Sequence, residues 1–254
     1  MIVNIYKNSE MLGQAAAKYC AEILNAAIAE KGEARLVLST GASQFDTLKH
    51  LVQMNVDWSR VEMFHLDEYI GIPETHPASF RKYLKDRFTS LVKLKAAYFV
   101  NTEGDVNKSI EHLTEELRKK PVDLALIGIG ENGHIAFNDP PADFETREAF
   151  IVVDLDERCK RQQVREGWFP TVEDVPKQAV TMTCYQIMQS RVIVSCVPYK
   201  VKAEAIKLTL GSDATNEIPA TILKNHDKWM LFLDEDSASL VSSEVLRNLT
   251  IKFG

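Results

Sequence analysis

LALIGIGENGHIAFNDPP, running from Leu124 to Pro141, sets the reading of the rest of the chain. Its first six residues, Leu124 to Ile129, are apolar apart from one glycine. So short a run, bounded by glycines, predicts a strand buried on both faces. Gly128, Gly130 and Gly133 then let the backbone turn sharply and approach a ligand closely, and His134, Asn138 and Asp139 follow at once. In open α/β sheets, ligands settle where a buried strand ends in such a turn. The spacing also meets the dinucleotide pattern G-x-G-x-x-G. That pattern needs a helix opening in the turn to face the pyrophosphate, and Pro140-Pro141 leaves no room for one. No redox cofactor is expected.

Upstream, strand and helix signals alternate. Ile2 to Tyr6 reads as a short edge strand, and a helix capped by Ser9 runs to about Ala29. Arg35 to Leu38 reads as a strand. The turn Ser39-Thr40-Gly41-Ala42-Ser43 leads from it into a helix near Phe45 to Val52. Hydroxyls, a glycine and a helix N-terminus together suit an anion; the lysine of a nucleotide-triphosphate loop is lacking. Val61 to Leu66 reads as a strand with Asp67-Glu68-Tyr69 at its carboxyl end, where a carboxylate can serve as a general base if its surroundings tune it. Ser79 to Phe88 reads as a helix, Ala97 to Val100 as a strand and Val106 to Lys119 as an amphipathic helix. This alternation predicts an α/β fold with an open, mostly parallel, doubly wound sheet between two helical layers.

Downstream the texture changes. Glu148 to Arg165 is dense in charge, and its helix reads either as a solvated charged surface or as a lid carrying cations toward an anionic substrate. Ala179 to Thr183 reads as extended chain and Val192 to Val197 as a strand. A helix follows from Lys200 to Leu208 with Lys202 in its first turn, where phosphate often sits. Trp229 to Leu233 reads as the final strand, with Asp234 and Glu235 opening the last helix. One domain over residues 1–254, with a lid at about 142–180, accounts for this order.

The net charge of −6 and the lack of a Lys/Arg-rich run argue against nucleic acid as a partner. No apolar run reaches the ~18 residues of a membrane span, and the N-terminus lacks a signal-peptide core. Four cysteines without C-x-x-C spacing read as reduced packing residues, so a cytoplasmic location is expected.

Four segments, LSTGAS (Leu38 to Ser43), FHLDEYIGIP (Phe64 to Pro73), GIGENGHIAFNDP (Gly128 to Pro140) and KAEAI (Lys202 to Ile206), together resemble the glucosamine-6-phosphate deaminase (isomerase) family over nearly the whole chain. The resemblance implies a Rossmann-like three-layer fold. It also implies conversion of glucosamine 6-phosphate and water to fructose 6-phosphate and ammonia, with neither cofactor nor metal. Asp67 would be the base that moves a proton between C2 and C1, and His134 the group that opens the sugar ring. Asp139 would support His134, and Asn132 stands where members have Asp or Asn. Ser39, Thr40, Gly41, Ala42, Ser43, Glu68, Gly133 and Lys202 would hold the substrate and its phosphate. Three departures surround the substrate: Asp139 replaces the family's usual Glu, Gln44 its frequent Pro, and Gln163 its lid Arg, leaving Lys160 or Arg161 to supply that charge. These changes keep galactosamine 6-phosphate open as substrate. A 6-phosphogluconolactonase-type hydrolase and a sugar-phosphate sensor remain the competing readings on one scaffold. A homo-oligomer is allowed for.

Overall fold

The computed structural model describes residues 1–247 and 250–253. In chain order the elements begin with β1 (Ile2–Tyr6), α1 (Ser9–Lys31), β2 (Ala34–Leu38), α2 (Phe45–Leu51), β3 (Val61–His65) and β4 (Asp67–Tyr69). Next come α3 (Phe80–Leu84), β5 (Ala96–Tyr98), α4 (Val106–Arg118), β6 (Leu124–Leu126), β7 (Phe150–Asp154) and α5 (Glu157–Arg165). The last are β8 (Gln178–Met182), α6 (Cys184–Met188), β9 (Ile193–Val197), α7 (Ala203–Gly211), β10 (Trp229–Asp234), α8 (Glu235–Ala238), α9 (Ser243–Arg247) and β11 (Thr250–Phe253).

Eight strands form one sheet in the order β11-β1-β10-β9-β6-β2-β3-β5, and every pairing in it is parallel. Alternate residues of each strand serve opposite faces. Leu36 and Leu38 of β2 join Leu124, Leu126, Val194 and Phe232 under α1 and α2. Val37 joins Ala125, Ile127, Leu231 and Leu233 in a second core with Leu113 and Leu117 of α4 and Ala205, Ile206 and Leu210 of α7. Both faces being covered explains why the strands read as near-continuous apolar runs. The doubly wound sheet is therefore as expected. No helix among the described residues is long and apolar enough to cross a membrane.

Four local readings are corrected. The cap of α1 is Asn8, whose side chain accepts from Met11 N at 3.0 Å, rather than Ser9. β1 is not an edge strand, because β10 and β11 flank it. The helix opened by Glu235 is not the last, since α9 and β11 follow it. Asp67-Glu68-Tyr69 is not the trailing end of β3 but a strand of a second sheet, β4-β8-β7, with antiparallel pairing throughout. That small sheet covers a third core of Tyr69, Phe80, Phe137, Cys159 and Phe169, beneath α5.

Candidate active site

The chain passes from β2 to β3 toward one edge of the large sheet and from β6 to β9 toward the other. Between β2 and β6 the carboxyl ends therefore diverge, which is where open α/β sheets leave a crevice. A cleft of about 310 Å³ lies there. The loops after β2, β3, β6 and β9 line it, and α5 faces it from the small-sheet side.

The loop after β2 contributes Ser39 to Ser43. Gly41 takes a φ of +98°, a region that L side chains avoid, and its carbonyl oxygen accepts from the Tyr83 hydroxyl at 2.8 Å. A 3₁₀ turn, Ala42–Gln44, then runs directly into α2, so the unpaired N–H groups of a helix start face the cleft. Ser39 Oγ is buried with no hydrogen-bond partner in the chain. Across the cleft, Lys202 sits in the 3₁₀ turn Lys200–Lys202 after β9 and is 6% exposed. Burial lowers its pKa, against the raising influence of Glu166 and Glu131. Beside it Tyr199 adopts a φ of +81°, held there by its N–H donating to both carboxylate oxygens of Asp234.

Asp67 lines the opposite wall. It is buried, its Oδ1 has no hydrogen-bond partner, and both desolvation and the charge of Glu68 push its pKa well above the usual carboxylate range. Glu68 itself points away. Its carboxylate accepts from Tyr69 N, Phe80 N, Ser79 Oγ, Arg81 N and Arg81 Nε, which ties β4 to the start of α3. The expectation that Glu68 touches substrate is thus corrected: alternation along β4 turns it inward, and it anchors the strand.

The glycine turn is built around one imidazole. Gly130 N donates to His134 O at 2.8 Å, and a methyl group on Gly130 would stand 2.2 Å from His134 Nε2, so the ring lies flat against the glycine. On its far side, His134 Nδ1 lies 2.9 Å from Asp139 Oδ1. Asn132 locks the arrangement, its Nδ2 donating to Asp139 Oδ1 and its Oδ1 accepting from His134 N. Desolvation works to raise the pKa of Asp139, but His134 and Asn132 outweigh it and leave the group below its ordinary value. Asn132 and Asp139 therefore stand behind the histidine and not in the cleft wall. Gly133 also falls outside the wall: its φ of +83° makes the turn, and it packs against Ile218. Asn138 pins the turn to the small sheet by donating to Ile135 O and Met182 O.

From α5 and its C-terminal turn, Gln162, Gln163, Arg165, Glu166 and Trp168 reach the cleft. Lys160 and Arg161 do not; Lys160 pairs with Glu157, and Arg161 is exposed on the outer face. The cation of α5 that lines the cleft is Arg165, which forms an ion pair with Glu131 of the glycine turn. It stands three residues after Gln162, one turn further along the same side of α5, a spacing that could have singled it out ahead of Lys160 and Arg161.

A sequence model described as glucosamine-6-phosphate isomerases/6-phosphogluconolactonase matches residues 7–232. The chain belongs to that family. Within the family, it is 35% identical to a glucosamine-6-phosphate deaminase of Thermoanaerobacter sp., covering 92% of this chain and 94% of that protein. It is 34% identical to one of Streptococcus uberis, covering 92% and 96%. A solved structure of a monomeric glucosamine-6-phosphate deaminase superposes with a TM-score of 0.85 at 30% identity, over 94% of this chain and all of that one. A family fold also appears in the 6-phosphogluconolactonase of Thermotoga maritima, with a TM-score of 0.76 at 18% identity over 92% and 100% of the two chains.

Proposed function

We propose that this protein deaminates and isomerises an amino sugar 6-phosphate, with glucosamine 6-phosphate and water giving fructose 6-phosphate and ammonia. The observation that carries the reading is Asp67, a buried and unpartnered carboxylate opening into the same cleft as the His134–Asp139 pair. Aldose–ketose isomerisation must take a proton from C2 and return one to C1. A carboxylate stripped of water, with its basicity raised, suits a carbon acid. Hydrolysis of a lactone moves no carbon-bound proton and asks of its base only that it activate water.

As the sugar opens, His134 takes the proton of the anomeric hydroxyl and delivers one to the ring oxygen as its bond to C1 breaks, with Asp139 at Nδ1 orienting the imidazole and stabilising its charged form. Asp67 then moves the proton from C2 to C1, leaving an imine at C2. Water adds to that carbon and ammonia leaves. Ser39 to Ser43, Lys202 and Arg165 hold the phosphate, through free N–H groups, hydroxyls and two cations. Residues 142–180 act as a lid whose α5 swings Arg165 from Glu131 to the substrate. The protein works as one domain in the cytoplasm, and both a monomer and a homo-oligomer suit this chemistry.

The test is ammonia release by the purified chain from glucosamine 6-phosphate and galactosamine 6-phosphate, with 6-phosphogluconolactone hydrolysis in parallel. Ammonia from glucosamine 6-phosphate is expected. Lactone hydrolysis without ammonia would overturn the reaction and keep the fold.

A further inference from the structure

One cluster is left unused by this chemistry. Cys159 of α5 lies against the back of the histidine pair, and the Cys159 thiol, a ring nitrogen of His134 and a carboxylate oxygen of Asp139 all fall within 4.8 Å of one another. Cys159 is 1% exposed. Asp139 Oδ2 is buried without a hydrogen-bond partner and so has coordinating capacity to spare on this side, and His134 Nδ1 faces the same carboxylate through Oδ1. The carboxylates of Asp139, Asp156, Asp67 and Glu166 all bear on the buried thiol. A divalent cation would relieve that concentration of negative charge.

We propose that His134, Asp139 and Cys159 form an inhibitory zinc site. One thiolate, one imidazole and one carboxylate match the ligand types of zinc, which is held tetrahedrally by three protein ligands and one exchangeable group. With bonds of ~2.0–2.3 Å, neighbouring ligand atoms in such a site lie about 3.5 Å apart, so the cluster needs to shift by only ~1 Å. Binding replaces the thiol proton, which passes to solvent as the zinc–sulfur bond forms.

The consequence for catalysis rests on the function proposed above. Zinc on Nδ1 confines the remaining imidazole proton to Nε2, so His134 can no longer accept the proton of the anomeric hydroxyl. It also takes Asp139 from the histidine and ties α5 to the glycine turn through Cys159. Zinc is thus an inhibitor here and not a cofactor.

The full chain, freed of metal with a chelator and reduced, is titrated with Co²⁺. The expected result is thiolate-to-cobalt charge-transfer absorption saturating at one metal per chain, displaced by Zn²⁺ and missing from Cys159→Ser and Cys159→Ala. Zn²⁺ should inhibit ammonia release by the wild type, reversibly with chelator. Cys159→Ser should keep turnover within about twofold and need about tenfold or more extra zinc for the same inhibition, the range expected when a metal site loses a supporting group. A wild-type titration without thiolate absorption overturns the site. Equal zinc inhibition of wild type and Cys159→Ser overturns the mechanism of inhibition. A chain that releases no ammonia at all overturns the proposed function, and the cobalt titration still decides the site.

Discussion

At the scale of single residues, Asp67 sets activity against stability. Its pKa is higher in the folded chain than the ordinary 3.8. Between those two values the folded state keeps a proton that the unfolded state gives up, so stability falls as pH rises through that window. Asp67→Asn removes the buried charge at constant shape. Its Tm should rise at pH 7 and converge on that of the wild type near pH 4, each kcal/mol appearing as ~2–4 °C in calorimetry of a chain this size. Ammonia release by the same variant should fall by ~10²–10⁴-fold, the usual contribution of a general base. A lowered Tm at pH 7 would show that the carboxylate has a partner in solution. Gly130 gives a second test. Its added methyl would meet His134 Nε2 at 2.2 Å, and its φ is not among the positive ones, so Gly130→Ala displaces the imidazole without straining the backbone. Turnover should drop about 10²-fold, the cost of moving a catalytic group by ~1 Å, with the circular dichroism spectrum unchanged.

At the scale of elements, the large sheet was legible because β2, β6, β9 and β10 are buried along their whole length and strand and helix signals alternate. The small sheet was not. β7 carries the apolar run FIVV, but it lies inside the charged stretch Glu148 to Arg165, whose reading as one helix hid it, and β4 is only three residues long, two of them acidic. For the same reason Glu68 read as a cleft residue, when the pleat of β4 turns it into the interior beside Arg81. With five donors on one buried carboxylate, Glu68→Gln should cost about 3–5 kcal/mol in urea unfolding, the range for breaking a buried ion pair. In the lid, Arg165→Ala should raise KM for the sugar phosphate about tenfold while changing kcat little, as expected for a contact to a group that does not react. Lys160→Ala and Arg161→Ala should leave KM unchanged. A reversed pattern would return the phosphate contact to the outer face of α5.

At the scale of the whole molecule, the order of the sheet separates what lies next to what from when each part can form. The crevice, the glycine turn and the two cores followed from patterns within a few dozen residues. The flanking of β1 did not, because no local signal reports a partner more than 200 positions away: Ile2 pairs with Met230 and Tyr6 with Asp234. α1 packs over β2, β6, β9 and β10, which are likewise spread along the chain. As the polypeptide leaves the ribosome, β2, β3, β5 and β6 can associate early and α1 can settle on α2, β2 and β6, while β1 waits for β10 with its strand edges unpaired. Three of the eight strands, β1, β10 and β11, thus join the sheet last. Nascent chains stopped short of Trp229 should carry β1, IVNIY, as an unpaired apolar strand, a natural landing place for chaperones.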